Sequence, residues 1–496
     1  MKSYLSSILA VISINLLQAQ DISDALRYSQ QNITGTARFR SMSGAFGAVG
    51  GDLSAINVNP AGAAVFNNNS LAFTISSYNI TNESSYFGSD TKANDNTVDL
   101  NQAGAIMVFR NDTKDWRKFT IALNYENTNN FDNTVFTAGT NPTNSISNYF
   151  LYYANQNGGV PVNTLANSFY EDLDFGQGQA FLGYQGYLIN PVTDENGNVT
   201  YASNVSGGNY YQQYALVSTG YNGKISVNAA TSYKDRLYLG MNLNFHGIDY
   251  RQSTAFFEEP QNNPDTGVVQ VNNFNNELYT YGTGFSVQLG AIAKITESFR
   301  AGLSYQSPTW YVLNDEFTQS LVTERIDAGN IETEIVDPGI TLLYDAYELH
   351  TPSKVTGSLA YIFGKYGLIS VDYTMTDYSN AHFSPEEDFP VANTETENAL
   401  DTAGELRIGA EHRIKQWSLR AGYRYEESPY KNGRTVGDLM GITGGLGYSF
   451  GSTRLDLAYS YSHRHSDPLF FSQGFTDAPR ISSVNNNVSL SLSFEL

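Results

Sequence analysis

Val488-Ser-Leu-Ser-Leu-Ser-Phe-Glu-Leu496 closes the chain. Side chains alternate faces along an extended strand, so Val488, Leu490, Leu492, Phe494 and Leu496 share one side while Ser489, Ser491, Ser493 and Glu495 share the other. One side asks for hydrocarbon and the other for water. That is the pattern of a transmembrane β-strand, and a chain ending on one reads as a barrel that closes on its last strand.

Working back from that end, alternating runs bounded by turn residues give fourteen strand candidates. They are Leu71 to Asn79, Gln102 to Arg110, Lys118 to Asn127, Lys224 to Tyr233, Arg236 to Tyr250, Leu278 to Ile295, Ser298 to Gln306, Lys354 to Phe363, Tyr366 to Asp377, Gly404 to Ile414, Gln416 to Glu427, Leu439 to Phe450, Thr453 to Tyr461 and Ser482 to Leu496. In the fifth, Leu237, Leu239, Met241, Leu243 and Phe245 alternate with Tyr238, Gly240, Asn242, Asn244 and His246. In the eleventh, Arg420, Arg424 and Glu426 all fall opposite Trp417 and Leu419. An Arg facing lipid costs about 2–4 kcal/mol at the bilayer midplane, so the charged face is the lumen.

The connections alternate. Short ones such as Lys234-Asp235 and Gly451-Ser452 are followed by long ones at about 80–101, 128–223, 251–277, 307–353, 378–403, 428–438 and 462–481. This matches the short periplasmic turns and long outer loops of bacterial barrels. An even strand number then places both termini in the periplasm.

Composition agrees. Residues 1–20 hold Lys2, an apolar run from Leu5 to Leu17, and Gln18-Ala19-Gln20, which reads as a cleavable export signal. No later stretch is apolar over the roughly 20 residues that a spanning helix needs. The mean hydropathy of −0.33 is no objection, because only alternate residues of a barrel strand face lipid. With no cysteine, an exported chain relies on continuous backbone pairing instead of disulfides. A net charge of −21 excludes nucleic acid as a partner, since phosphate contacts need clustered cations. The expected organisation is a signal peptide over 1–20, a lumenal segment over 21–70 and an all-β, 14-stranded antiparallel transmembrane barrel over 71–496.

Residues 21–70 are neither signal nor strand. Ile22 to Gln30 can form one or two helical turns, and Thr34 to Asn67 is rich in Gly, Ala and Asn. About fourteen strands enclose a hole too wide for wall side chains to fill, so such a segment is suited to fold back inside. Within it, Gly35-Thr-Ala-Arg-Phe-Arg-Ser-Met-Ser-Gly-Ala-Phe-Gly-Ala-Val-Gly-Gly-Asp-Leu-Ser-Ala-Ile-Asn-Val-Asn-Pro-Ala-Gly62 carries a small-residue stretch with Gly44, Gly47, Gly50 and Gly51, then Asp52, then Asn59, Pro60, Ala61 and Gly62. Pro60 fixes its own φ and biases Asn59 toward extended backbone, and an Asn can bond to nearby main chain, so the pair marks a pinned bend.

This run resembles the amino-terminal hatch of the FadL family, outer-membrane transporters of long-chain fatty acids and other hydrophobic compounds. The resemblance implies a monomeric barrel plugged by its own leader, passing apolar ligands inward by diffusion, with no cofactor and no covalent chemistry. It further implies an inward kink of the third strand beside the hatch, opening a lateral exit. Here that strand, Lys118 to Asn127, contains neither Gly nor Pro, so the sequence itself carries no signal for the kink.

Other motifs resolve into plainer features. The glycines lack the Gly-Lys-Ser/Thr of a phosphate loop. His463, His465 and Asp467 fall on one strand face but continue the outward phase of Leu455 and Leu457, which makes them a hydrated rim and not a metal site. No nucleophile, base and orienting group fall together, so no enzyme is expected. Lumen-phase charges gather late in the chain, among them Glu405, Arg407, Glu411, Arg413, Arg420, Arg424, Glu426, Arg454 and Asp456. They read as an ion-pair ladder anchoring the hatch, or as a basic spot receiving a ligand carboxylate, with Arg407, Arg413, Arg420 and Arg424 as candidates. Expected partners are hydrophobic small molecules or lipids and the outer-membrane bilayer with its lipopolysaccharide. A second reading makes the barrel a docking subunit of an outer-membrane assembly or secretion complex, with the long connection 128–223 as its contact surface.

Overall fold

The computed structural model describes residues 21–111, 113–193, 199–205, 207–261 and 267–496; the export signal expected over 1–20 lies outside them. Fourteen antiparallel strands form the wall: β1 (Ser70–Tyr86), β2 (Ser89–Arg110), β3 (Trp116–Asn130), β4 (Tyr210–Tyr233), β5 (Leu237–Pro260), β6 (Val269–Lys294), β7 (Phe299–Gln306), β8 (Lys354–Ile362), β9 (Gly367–Asp377), β10 (Thr402–Ile414), β11 (Trp417–Glu426), β12 (Leu439–Ser449), β13 (Thr453–Ser466) and β14 (Arg480–Glu495). Each pairs with its neighbour in sequence. The ring closes where β1 pairs β14 from Ser70↔Glu495 to Ser85↔Arg480, which leaves the wall no free edge at that seam.

All fourteen expected strands are present, and their faces are sorted as the alternation requires. On β14, Val488, Leu490 and Leu492 are exposed while Ser489 and Ser491 are buried. Aromatic side chains such as Phe109, Trp116, Tyr361, Tyr366, Trp417 and Phe450 lie exposed near the short turns, where a girdle at the bilayer interface belongs.

The long connections are more ordered than expected. The segment 80–101 is almost wholly strand: β1 and β2 continue pairing out to Tyr86↔Ser89 across a two-residue turn, Phe87-Gly88, with both residues at positive φ. Sequence alternation misses this extension because Asn79, Thr81, Glu83 and Ser85 are polar on the outward face, whereas ladder formation needs only backbone.

The connection between β3 and β4 folds into a cap over the same end. Its helices α2 (Ser147–Asn155), α3 (Val162–Asn167) and α4 (Phe175–Gln185) bury Phe150, Leu165 and Leu182 against Phe256, Phe274, Leu321, Phe471 and Phe475 from the wall extensions and other connections. The fully buried carboxylate of Glu258 staples the cap to the wall, accepting from Ser145 Oγ (2.5 Å), the Ile146 amide (3.0 Å), Gln212 Nε2 (2.7 Å) and Asn272 Nδ2 (3.3 Å). Glu258→Ala leaves these donors without an acceptor, at about 1–3 kcal/mol for each one stranded. Limited proteolysis of the detergent-solubilised protein will then cut within 142–209 at least about tenfold faster while the barrel stays intact. Equal rates would show that the staple is dispensable.

Candidate functional site

The site is built around the leader that crosses the lumen. Residues 66–70 join it to β1 beside the chain's last residue, where the Leu496 amide bonds the Asn69 carbonyl at 2.9 Å. At the opposite end α1 (Ile22–Ser29), started by an Asp21 capping box, packs Tyr28 among Phe131, Tyr250 and Tyr311. Ile22 and Leu26 pack there against Tyr378, Leu400 and Tyr430. Burial lifts the Asp24 carboxyl to about 7, against the pull of its ion-pair partner Arg27. The even strand count returns the two ends of the wall to one side, as expected. The described part of the leader starts with α1 at the long-connection end.

Between those ends the leader is a compact plug of turns. Asn59 is extended (φ −144°, ψ 107°) and starts the 3₁₀ turn Pro60–Val65, its Oδ1 accepting from the Ala61 amide at 3.1 Å. Its Nδ2 donates to the carbonyl of Gly47 (2.8 Å) within the plug and to that of Ala291 (3.0 Å) in the wall. Gly51 donates to the Gly62 carbonyl at 3.0 Å, and Gly50 lies so close to Gly62 that a Cβ on Gly62 would be 3.1 Å from the Gly50 Cα. Gly50 and Gly51 both have positive φ, which a larger residue would resist. Asp52 accepts from Thr36 Oγ1 (2.7 Å) and the Ser54 amide (3.0 Å), tying the two halves of the plug. Gly44, also at positive φ, packs under Phe39, and Ala61 is fully buried.

Plug carbonyls are satisfied by wall side chains, as buried backbone requires. Asn242 donates to Ile56 O, Gln288 to Asn57 O and Val58 O, Ser304 to Val58 O, and Asn228 to Pro60 O, all within 2.7–3.1 Å. In return the Gly47 amide donates to Asp372 at 2.9 Å. Glycines in the wall make the fit close. A Cβ on Gly240, Gly290 or Gly302 would sit 2.4 Å, 2.0 Å or 2.4 Å from Pro60, Asn59 or Gly47 respectively. The sequence shows these glycines only as gaps in strands; nothing local says what approaches them.

The late charges form two groups at different depths. Near the short turns, Glu411 bonds Arg38 Nε (3.1 Å), Arg413 Nη2 (2.5 Å) and Arg420 Nε (2.7 Å), and Arg420 also reaches Asp456 (2.7 Å). Further along the lumen, Arg424 joins Glu405 (2.7 Å) and Glu426 (2.6 Å), and Arg407 bonds Thr374 Oγ1 (3.0 Å). Arg420 is thus spent on the anchor to the plug's Arg38, whereas Arg413, also bonded to Glu411, lines open space on one side of the plug and Arg407 and Arg424 line it on the other.

Among the cavities in that space, two lie on opposite sides of the plug. The first, about 110 Å³, lies on its long-connection side and is lined by Ile33, Phe39 and Val58 of the plug together with Lys224, Lys354, Arg407 and Arg424 of the wall. The second, about 520 Å³, lies toward the short turns and includes Gly50, Gly51, Asp52, Arg38, Arg300 and Arg413.

The ladder between β2 and β3 stops short. β2 and β3 pair from Arg110↔Lys118 only as far as Gln102↔Glu126, and then part. The ladder of β3 with β4 shifts register between Asn127 and Asn129, a bulge that bends the strand despite its lack of Gly or Pro. Asparagines take the place of glycine here. Asn129 Nδ2 donates to the Gln30 carbonyl (2.7 Å), the Asn32 amide donates to Thr128 O (3.2 Å), and Asn130 bridges to Asp99 of β2. The plug therefore abuts the parting strands.

A closed fourteen-strand barrel with its own leader folded into the lumen between two chambers defines the class of plugged outer-membrane channels. The family model for outer membrane protein transport proteins (OMPP1/FadL/TodX) matches residues 190–470, more than half of the chain, and the chain belongs to that family. Among solved structures it is similar in fold to a Pseudomonas aeruginosa FadL homologue, at 13% identity over 94% of this chain and 99% of that one, with a TM-score of 0.54. It is likewise similar to the Pseudomonas putida toluene transporter TodX, at 15% identity over 94% and 99%, with a TM-score of 0.51. No curated protein matches it in sequence. The protein is an outer-membrane transport barrel.

Proposed function

We propose that the protein admits hydrophobic small molecules, long-chain fatty acids among them, by diffusion across the outer membrane, with the hatch as the gate. Long connections face outward and short turns face the periplasm in this reading, and no cofactor or bond-making chemistry takes part. What supports it most is the plug itself: a lumen closed by the leader, with free volume on either side and a parted seam between β2 and β3 at its flank. Family membership and the solved toluene transporter of like fold point the same way.

Deletion of residues 21–67 tests the gate. The expected product is a folded barrel, judged by heat-modifiable migration on gels, whose ion conductance in planar bilayers and uptake of apolar probes both rise. A folded deletion variant with unchanged leakage would remove the hatch from the mechanism.

A further inference from the structure

Hydrocarbon meets the whole outer face of the wall, and beside the short turns part of that face is hollow. A groove of about 590 Å³ lies over β9, β10 and β11, with Phe363, Tyr366, Ile369 and Leu419 among its lining. Its floor is low because the lipid-phase positions there are Gly367, Ala410 and Ala421, the two alanines directly opposite in the β10–β11 ladder. Gly367 can take no side chain, since its φ is +155° and a Cβ would lie 2.1 Å from the Glu411 carbonyl oxygen. A hollow left empty forfeits dispersion contacts along its lining, so in a bilayer an acyl chain fills it.

The charges beside the groove select which lipid supplies that chain. In the turns from β2 to β7, cations are matched by acids of the same or a neighbouring turn: Arg117 with Asp235 (3.5 Å), Lys234 with Asp115 (3.4 Å) and Lys294 with Glu297 (2.7 Å). The two turns that bracket the groove differ. Gly364-Lys365 between β8 and β9 and Lys415-Gln416 between β10 and β11 hold no acid, and both lysines are exposed and outside every ion pair among the described residues. Lys365 Nζ lies 5.7 Å from the ring centre of Tyr366, which lines the groove. Glu411, the nearest acid along β10, is buried and held by Arg38, Arg413 and Arg420. His412, opposite Gly367 in the ladder, is exposed in the lipid phase, and its ring has no hydrogen-bond partner among the described residues. Unopposed cations and a free imidazole next to an acyl-chain groove complement an anionic phosphodiester.

The geometry points to a bound anionic phospholipid of the periplasmic leaflet, one acyl chain in the groove and the headgroup phosphate at Lys365 and His412, with Lys415 adding to the positive field. The site is on the lipid side of the wall and takes no part in the gate.

The test is native mass spectrometry of the purified full-length protein after exchange into detergent micelles doped with equal amounts of dioleoyl phosphatidylglycerol and dioleoyl phosphatidylcholine. Wild type will retain phosphatidylglycerol over phosphatidylcholine by at least about tenfold, and Lys365→Gln combined with Lys415→Gln will abolish the preference. Ala421→Phe fills the groove with a side chain that suits the lipid face and will remove both retained lipids, whereas Leu303→Phe, elsewhere on that face, will not. Heat-modifiable migration checks that each variant is folded. Equal retention of the two lipids by wild type, a preference that survives the double glutamine change, lipid held unchanged by Ala421→Phe, or a barrel dimer in place of bound lipid overturns the assignment. The hatch-deletion measurement is independent, so either result can fail without the other.

Discussion

Valine at both Gly240 and Gly290 will unseat the hatch and raise the single-channel conductance to that of a barrel lacking residues 21–67. The two glycines are directly opposite in the β5–β6 ladder and both face the lumen. A Cβ on Gly240 would lie 2.4 Å from the Pro60 carbonyl carbon and oxygen, and one on Gly290 would lie 2.0 Å from Asn59 Oδ1 and 2.8 Å from Pro60 Cδ. Backbone on the hatch side cannot yield as a flexible side chain would, so the whole Asn59–Pro60 bend must move. The wall itself loses nothing, because β-branched residues suit a pleated strand better than glycine does. Leu289→Val, one position along and facing lipid, is the control and will leave conductance unchanged. Unaltered conductance in the double valine variant, with the barrel folded, would mean that this contact does not hold the plug.

The second large effect belongs to Glu411→Gln. Its side chain is fully buried and shared by Arg38 of the hatch and by Arg413 and Arg420 of the wall. Neutralising it leaves guanidinium groups with only the partial cover of Asp52, 3.8 Å from Arg38, and Asp456, 2.7 Å from Arg420. Removing one partner from a buried ion-pair network costs about 3–5 kcal/mol, so the urea midpoint will fall accordingly. Adding Arg38→Met to the same variant will recover part of the loss, since one stranded cation is then gone. If the double change is as unstable as the single one, Glu411 acts within the wall and not as the hatch anchor.

How much of this was legible before the structure follows from what each feature depends on. The wall strands depend on period-two burial against lipid, a property each segment displays alone, and Leu237 to Phe245 or Val488 to Leu496 state it without help. The outer halves of β1 and β2 were missed because no lipid imposes a pattern there; pairing continues on backbone alone. The bulge in β3 was missed for a related reason. Asn127, Asn129 and Asn130 do the work expected of Gly or Pro, and their meaning rests on Gln30, Asn32 and Asp99, distant in sequence. The wall glycines carry no local mark of their role, since Gly290 is informative only once Asn59 is known to lie against it.

The leader's path also bears on how such a molecule is made. Its root is tied to β1 next to Leu496, and its tip is clasped by connections at the far end, so the first fifty residues to leave the export machinery find their partners only after the last-synthesised strand has zipped to the first. Ring closure and burial of the leader are thereby one event in biogenesis. Until it happens, the apolar side chains of the leader have no wall to cover them.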